Sequence, residues 1–168
     1  RGVHLFHGAR ALPFHRKLID RVFAPGKLNR LLIQCEQVRW NADPSVAPPW
    51  AGSPEQLREE ITHAKERGIR IHPLIQGYGH MEWLFAKSSN RDFAEDPETP
   101  YAVYFANPEA LAYLERFVDE ANALFASGAT HVGLDEVTMR GRFPHRSAGR
   151  TFPDLFATAA RDRKSTRL

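Results

Sequence analysis

Four apolar segments of strand length recur along the chain, Val3 to His7, Leu31 to Glu36, Ile69 to Gln76 and Thr130 to Glu136, and a helical pattern fills each gap between them. Strands joined this way cannot pair as hairpins, because each helix carries the chain back to begin the next strand in the same direction. The alternation predicts an α/β fold built on a parallel sheet.

The predicted helices carry their own punctuation. Phe14, Leu18, Ile19, Val22 and Phe23 fall at helical spacing, and Pro25-Gly26 ends that run. In the second helix Ser53 is placed to cap, Pro54 takes the first position, Gln56 completes a capping box and Gly68 stops the run. The third begins with Asn107 as cap and Pro108 in its first turn. It sets Leu111, Leu114, Phe117, Val118, Ala121 and Leu124 on one face, predicted to cover the outside of the sheet, and ends near Gly128.

Two connections are too long for mere economy: residues 37–52, rich in Pro and Trp, and residues 77–106, which hold Tyr78, Trp83, Phe85 and the acidic run from Ala94 to Pro100. Each follows a strand, and in a parallel βα barrel both emerge at the C-terminal face, where active sites of such barrels lie. Glu95, Asp96 and Glu98 lack the alternate-position ligands and central Gly of a calcium loop, so a solvated acidic loop is predicted. His4 and His7 point to opposite faces of a strand, and the single cysteine, Cys35, builds neither a disulfide nor a zinc site alone. No metal and no cofactor are predicted.

The formal charge of +3 is accounted for by Arg161, Arg163, Lys164 and Arg167 against Asp162, which leaves the rest of the chain balanced and gives nucleic-acid binding no support. No apolar run approaches the roughly 20 residues of a membrane span. The chain opens at Arg1, without an initiator Met and directly ahead of a strand, so the native N-terminus is expected to be missing and localisation stays unknown.

Chemistry is concentrated at the end of the fourth segment, where Thr130-His131-Val132-Gly133-Leu134-Asp135-Glu136-Val137 delivers two adjacent carboxylates. A glycosidic oxygen leaves badly unless protonated, and an oxocarbenium-like centre needs negative charge or a nucleophile beside it. Neighbours on a regular strand point to opposite faces, so Asp135 and Glu136 share a site only if the strand ends or bends there. Otherwise Asp135 faces a loop or caps the next helix while Glu136 alone enters the barrel. An adjacent pair suits a mechanism whose nucleophile belongs to the substrate better than one with two carboxylates flanking the bond. Trp40, Trp50, Tyr78 and Trp83 in the long loops either pack those loops down or stack on sugar rings.

The run His131 to Glu136 resembles the His-Ile-Gly-Gly-Asp-Glu strand of the glycoside hydrolase family 20 β-N-acetylhexosaminidases. Further stretches are similar in the same order: Arg1-Gly2-Val3 opening the first strand, Lys27-Leu28-Asn29 entering the second, Ala64-Lys65-Glu66-Arg67-Gly68-Ile69 entering the third, and Gly79-His80 after it. The resemblance covers nearly the whole chain and implies a TIM (β/α)8 barrel. A complete barrel takes roughly 250 residues, so residues 1–160 are expected to form an incomplete one of about four βα units. Residues 161–168 are read as a non-native tail, whose end resembles translated adapter sequence.

The resemblance implies hydrolysis of terminal β-linked N-acetylhexosamine by a retaining, substrate-assisted route. Glu136 would protonate the leaving oxygen, and Asp135 would orient the 2-acetamido group as its carbonyl oxygen attacks C1. His80, after the flexible Gly77-Tyr78-Gly79 turn, is an expected substrate-binding residue, as are Gln76, Gln34, Glu36 and Arg10. Gln34 and Glu36 share one face of a regular strand, where sugar hydroxyls, a neighbouring Arg or an internal network would satisfy them. Arg10 stands one residue from the place of the family's substrate-binding arginine, and a solvated or helix-capping role accounts for it equally.

Two departures bear on sugar specificity: Gln76 stands where the family has an acidic residue, and Ile33-Gln34-Cys35-Glu36-Gln37 replaces its usual His and Asp on the second strand. The partners implied are a carbohydrate substrate and the missing C-terminal half of the same barrel, the fragment being inactive alone. Two alternatives remain, a non-catalytic carbohydrate-binding relative and a metal-dependent barrel hydrolase. Retention of Asp135 and Glu136 argues against the first, and Gln76 argues for it.

Overall fold

A computed structural model describes residues 1–165, and its elements follow the predicted alternation. In chain order these are β1 (Gly2–Phe6), α1 (Ala11–Leu18), β2 (Arg30–Gln34), α2 (Pro54–Lys65), β3 (Arg70–Gln76), the short α3 (Glu82–Phe85), α4 (Pro108–Phe125), β4 (His131–Gly133) and α5 (Phe152–Ser165). The four strands form one sheet in the order β1-β2-β3-β4, with β1–β2 and β2–β3 paired in parallel, as four consecutive βα units of an incomplete TIM barrel. By contacts the chain divides into two compact units, Arg1–Ile75 with Val118–His131, and Gln76–Phe117 with Val132–Leu168.

In the first unit the register aligns Val3, Leu31 and Ile71 in one row and Leu5, Ile33 and Pro73 in another. Strand side chains alternate, so both rows share a face, and Leu31, Ile33 and Ile71 on it are buried. The opposite face carries His4, Leu32 and His72, which line an open concavity, and Phe6, 56% exposed. Barrel interiors are filled by layers of such inward-facing side chains.

The capping box of α2 forms as predicted: the Gln56 backbone N–H donates to Ser53 Oγ at 3.2 Å, and the Ser53 N–H donates to Gln56 Oε1 at 3.0 Å. The face of α1 differs from prediction. Leu12 and His15 point inward, followed by Ile19 and Phe23 on a π-helical turn, whereas Phe14 and Val22 are 59% and 50% exposed. His15 goes in because Glu60 of α2 receives it. Glu60 has no exposed side-chain surface and sits between His7 Nδ1 at 2.9 Å and His15 Nδ1 at 2.7 Å. Periodicity counts both kinds of residue as polar and assigns them to the solvent side.

Asn107 caps α4 through its side-chain oxygen, which accepts from the Glu109 N–H at 2.9 Å. The buried stripe of α4 comprises Ala110, Leu114, Phe117, Val118, Ala121 and Phe125, so the predicted Leu111 and Leu124 lie at its edges, half-buried. In the second unit, Tyr78 meets Phe105 edge-on with ring centres 4.4 Å apart, and Trp83 packs against Phe117 at 5.2 Å. The backbone of α5 runs through Ser165, so the first residues of the segment read as a tail are helical, while residues 166–168 lie outside the described residues. No helix among the described residues is long and apolar enough to cross a membrane.

Candidate active site

Strand β4 is only three residues long and stops at Gly133, two residues before the carboxylate pair. Beyond it the backbone turns, and Glu136 adopts a left-handed conformation at φ 49°. A non-glycine residue there carries local strain of about 1–3 kcal/mol, which the surrounding structure must hold in place. The turn defeats strand alternation: Asp135 and Glu136 both reach His80, whose Nε2 lies 2.9 Å from Glu136 Oε2 and 3.8 Å from Asp135 Oδ2.

His80 arrives from the connection after β3, and it too is left-handed, at φ 58°. Two glycines permit this approach. A Cβ on Gly79 would collide with the Asp135 carbonyl oxygen, so only glycine lets the 77–80 turn lie against the backbone of 135–137. A Cβ on Gly133 would overlap the side-chain amide of Gln76, which is buried at the end of β3. The Gly77 N–H donates to the Gly133 carbonyl at 2.9 Å and ties the two strand ends together.

The other nitrogen of His80, Nδ1, lies 3.0 Å from the Tyr101 hydroxyl, and the two rings meet edge-on with centres 5.4 Å apart. Tyr101 is 2% exposed. Its phenol is raised above its ordinary range, first by burial and then by the negative charges of Glu82 and Glu136. Sequence reasoning missed this residue, whose only local signal is its place at the end of the acidic loop.

That loop is not the solvated run that was predicted. Glu95 and Asp96 are buried, and both hold the segment that follows the carboxylate pair. Glu95 accepts from the Ser147 hydroxyl at 2.8 Å and from the backbone N–H groups of His145 and Ser147, both at 2.6 Å. Asp96 takes the Arg142 guanidinium through two bonds, at 2.8 and 2.7 Å, which hold its carboxyl well below the usual carboxylate range. Only Glu98 keeps the predicted exposure, with 82% of its side chain in solvent. A carboxylate buried by partners about 50 positions away has no local signature.

The remaining expected site residues lie in the first unit. Gln34 is the last residue of β2 and half-buried, whereas Glu36 is buried in the turn beyond it, so strand alternation does not apply to that pair. Arg10 is the exposed N-cap residue of α1 and makes no side-chain cap hydrogen bond. Trp40 is buried and donates its indole N–H to the Cys35 carbonyl at 3.0 Å, while Trp50 is 62% exposed.

His80, Asp135 and Glu136 gather one nitrogen and two carboxylate oxygens within 4.8 Å of one another, the largest such group of metal-capable side chains among the described residues. The carboxylates are more than half exposed, at 58% and 55%. The arrangement presents two acids and an imidazole to whatever enters from solvent, which is the equipment of proton transfer to a leaving group with a second charge alongside.

No family model matches the chain. A β-hexosaminidase of Vibrio furnissii is 33% identical over 92 residues, covering 49% of this chain and 15% of its own length. Among solved structures, the GH20 β-N-acetylhexosaminidase of Streptomyces coelicolor A3(2) superposes with a TM-score of 0.76 at 18% identity, covering 99% of this chain and 36% of that one. The GH20 exo-β-N-acetylglucosaminidase of Vibrio harveyi, solved in complex with N-acetylglucosamine, gives 0.69 at 23% identity over 88% of this chain and 29% of that one. The chain thus spans well under half the length of each of these relatives. In sequence and in fold it is similar to the barrel of the glycoside hydrolase family 20 β-N-acetylhexosaminidases.

Proposed function

We propose that this chain is the part of a longer barrel enzyme that carries the catalytic pair, and that the enzyme removes terminal β-linked N-acetylhexosamine from glycans or glycosides with retention of configuration. The observation that supports this most is the convergence of Asp135, Glu136 and His80 beyond the end of a three-residue strand. Glu136 protonates the departing glycosidic oxygen. Asp135, next to it in sequence, is too close to serve as a nucleophile across the bond, so the nucleophile is the substrate's acetamido carbonyl oxygen, which closes on C1 while Asp135 holds the amide N–H. Water then opens the oxazolinium and returns a proton to Glu136.

In this reading Gln76, Gln34, Glu36 and Arg10 contact sugar hydroxyls, and the rest of the barrel closes the pocket over the open face of the sheet. The chain alone is then a poor enzyme.

The test uses the full-length enzyme. Glu136→Gln is expected to slow substrates with basic leaving groups by about 10²–10⁴, and activated phenyl glycosides far less, because a phenol departs with little protonation. Asp135→Asn should impair both kinds, and a plain glucoside should be a poor substrate. Fast, retaining cleavage of such a glucoside, undiminished in Asp135→Asn, would refute the substrate-assisted route.

A further inference from the structure

Both ring nitrogens of His80 are engaged, and a neutral imidazole has one proton to place on them. Nε2 faces Glu136 Oε2 at 2.9 Å and Nδ1 faces the Tyr101 hydroxyl at 3.0 Å. If Nε2 carries the proton, it donates to Glu136, and that suits a carboxylate already ionised. If Nδ1 carries it, Nε2 offers a lone pair, and the hydrogen bond there must come from a protonated Glu136. Only the second arrangement keeps on Glu136 the proton that a general acid has to give, and it requires an acceptor at Nδ1.

We propose that Tyr101 is a positioning residue of this site: its hydroxyl oxygen accepts from His80 Nδ1–H and so holds His80 in the tautomer whose Nε2 accepts from the protonated Glu136. The inference rests on the reading of Glu136 as the general acid. No proton crosses His80 in the chemical step. Glu136 gives its own proton to the glycosidic oxygen and recovers one from the attacking water.

Three features hold Tyr101 to this task. The backbone on either side of His80 is pinned to the tyrosine's own segment, with the Met81 N–H donating to the Tyr101 carbonyl at 3.1 Å and the Val103 N–H donating to the Tyr78 carbonyl at 3.0 Å. The ring is buried at 2% exposure, so the hydroxyl has a fixed direction. Burial first, and then the negative charge of Glu82, raise the phenol above its ordinary range, so it stays neutral. The titratable groups around the chain of hydrogen bonds are Asp135, Glu136 and Glu82, the last paired with Arg140 at 3.0 Å. A phenol hydroxyl, unlike a carboxylate in the same place, supplies an acceptor without adding a charge that would draw a second proton onto the imidazole.

Tyr101→Phe in the full-length protein removes the hydroxyl and keeps the packed ring. The expected result is a kcat/KM for basic leaving groups about tenfold lower with KM nearly unchanged, and an alkaline limb of the kcat/KM profile that moves to lower pH. A purely structural tyrosine would leave that limb in place. Nitrogen NMR of the histidines reads the tautomer without needing turnover: near neutral pH His80 should carry its proton on Nδ1 in the parent and shift toward Nε2 in Tyr101→Phe. A parent spectrum with the proton on Nε2 overturns the proposal whatever the variant does, as does a variant whose tautomer and pH limb both match the parent. Absence of hexosaminidase activity would instead count against the hydrolase reading, and the spectrum would still decide the role of Tyr101 at His80.

Discussion

Glu60 meets the imidazole of His7 at 2.9 Å with no exposed side-chain surface, and Glu136 meets the imidazole of His80 at the same 2.9 Å with 55% of its side chain in solvent. The contact is the same in both places, and its surroundings give it different work. Glu60 spends both oxygens on protein, one on His7 and one on His15, and nothing else can approach it. Glu136 spends one oxygen on His80 and keeps the rest of the carboxyl open to a ligand. A buried carboxylate with both oxygens bonded to protein holds the start of the first βα unit together, whereas an exposed one with a single positioned partner is available for chemistry.

The largest effect expected from this contrast is on stability. Glu60→Ala leaves two buried imidazoles without their acceptor, and breaking a buried pair from one side costs about 3–5 kcal/mol. Denaturant unfolding of the full-length protein, with unchanged slope, measures it. A loss below about 1 kcal/mol would mean that the cluster relaxes or hydrates at little cost, and that burial does not separate the two carboxylates as argued.

A smaller effect follows from acid. Burial pushes the Glu60 carboxyl up, yet the hydrogen bonds and charges of His15 and His7 outweigh it and hold the group below its ordinary 4.5. Lowered in the folded state, it contributes stability that is fully present above that ordinary value and is lost as pH falls through the folded value. The parent should therefore lose stability faster below about pH 4.5 than Glu60→Gln, whose amide does not titrate. Parallel curves for the two proteins over that window would remove Glu60 from the acid response.

Much of the fold was legible because it is written locally. The helix caps at Ser53 and Asn107, the Pro residues at the first turns and the four apolar runs each signal within a few positions, and the parallel order follows from their alternation. The ends of the carboxylate strand were legible only conditionally: convergence of Asp135 and Glu136 required a break in alternation, and the break lies at Gly133, whose missing Cβ makes room for Gln76. What stayed hidden was polar burial between distant segments. His15 with Glu60, Glu95 with Ser147, and Tyr101 with His80 are joined over 45, 52 and 21 positions, and a histidine or glutamate headed inward looks in sequence like one headed out.

The smallest expected effect tests the other side of the comparison. Glu136→Gln keeps the shape of the side chain, one acceptor and a donor for His80 Nε2, and more than half of that side chain lies in solvent, so unfolding free energy should change by no more than about 0.5 kcal/mol. The left-handed backbone at φ 49° reinforces the point. The strain there is stored by the turn and not relieved by the side chain's charge, so glutamine inherits it unchanged and the difference between the two proteins cancels it. Raising the salt concentration should leave that small difference where it is, because little attraction remains to be screened. A loss above about 1.5 kcal/mol on Glu136→Gln would show that the His80 contact stabilises the folded chain in the way the Glu60 contact does. The drop in turnover of the same variant could not then be assigned to a missing proton.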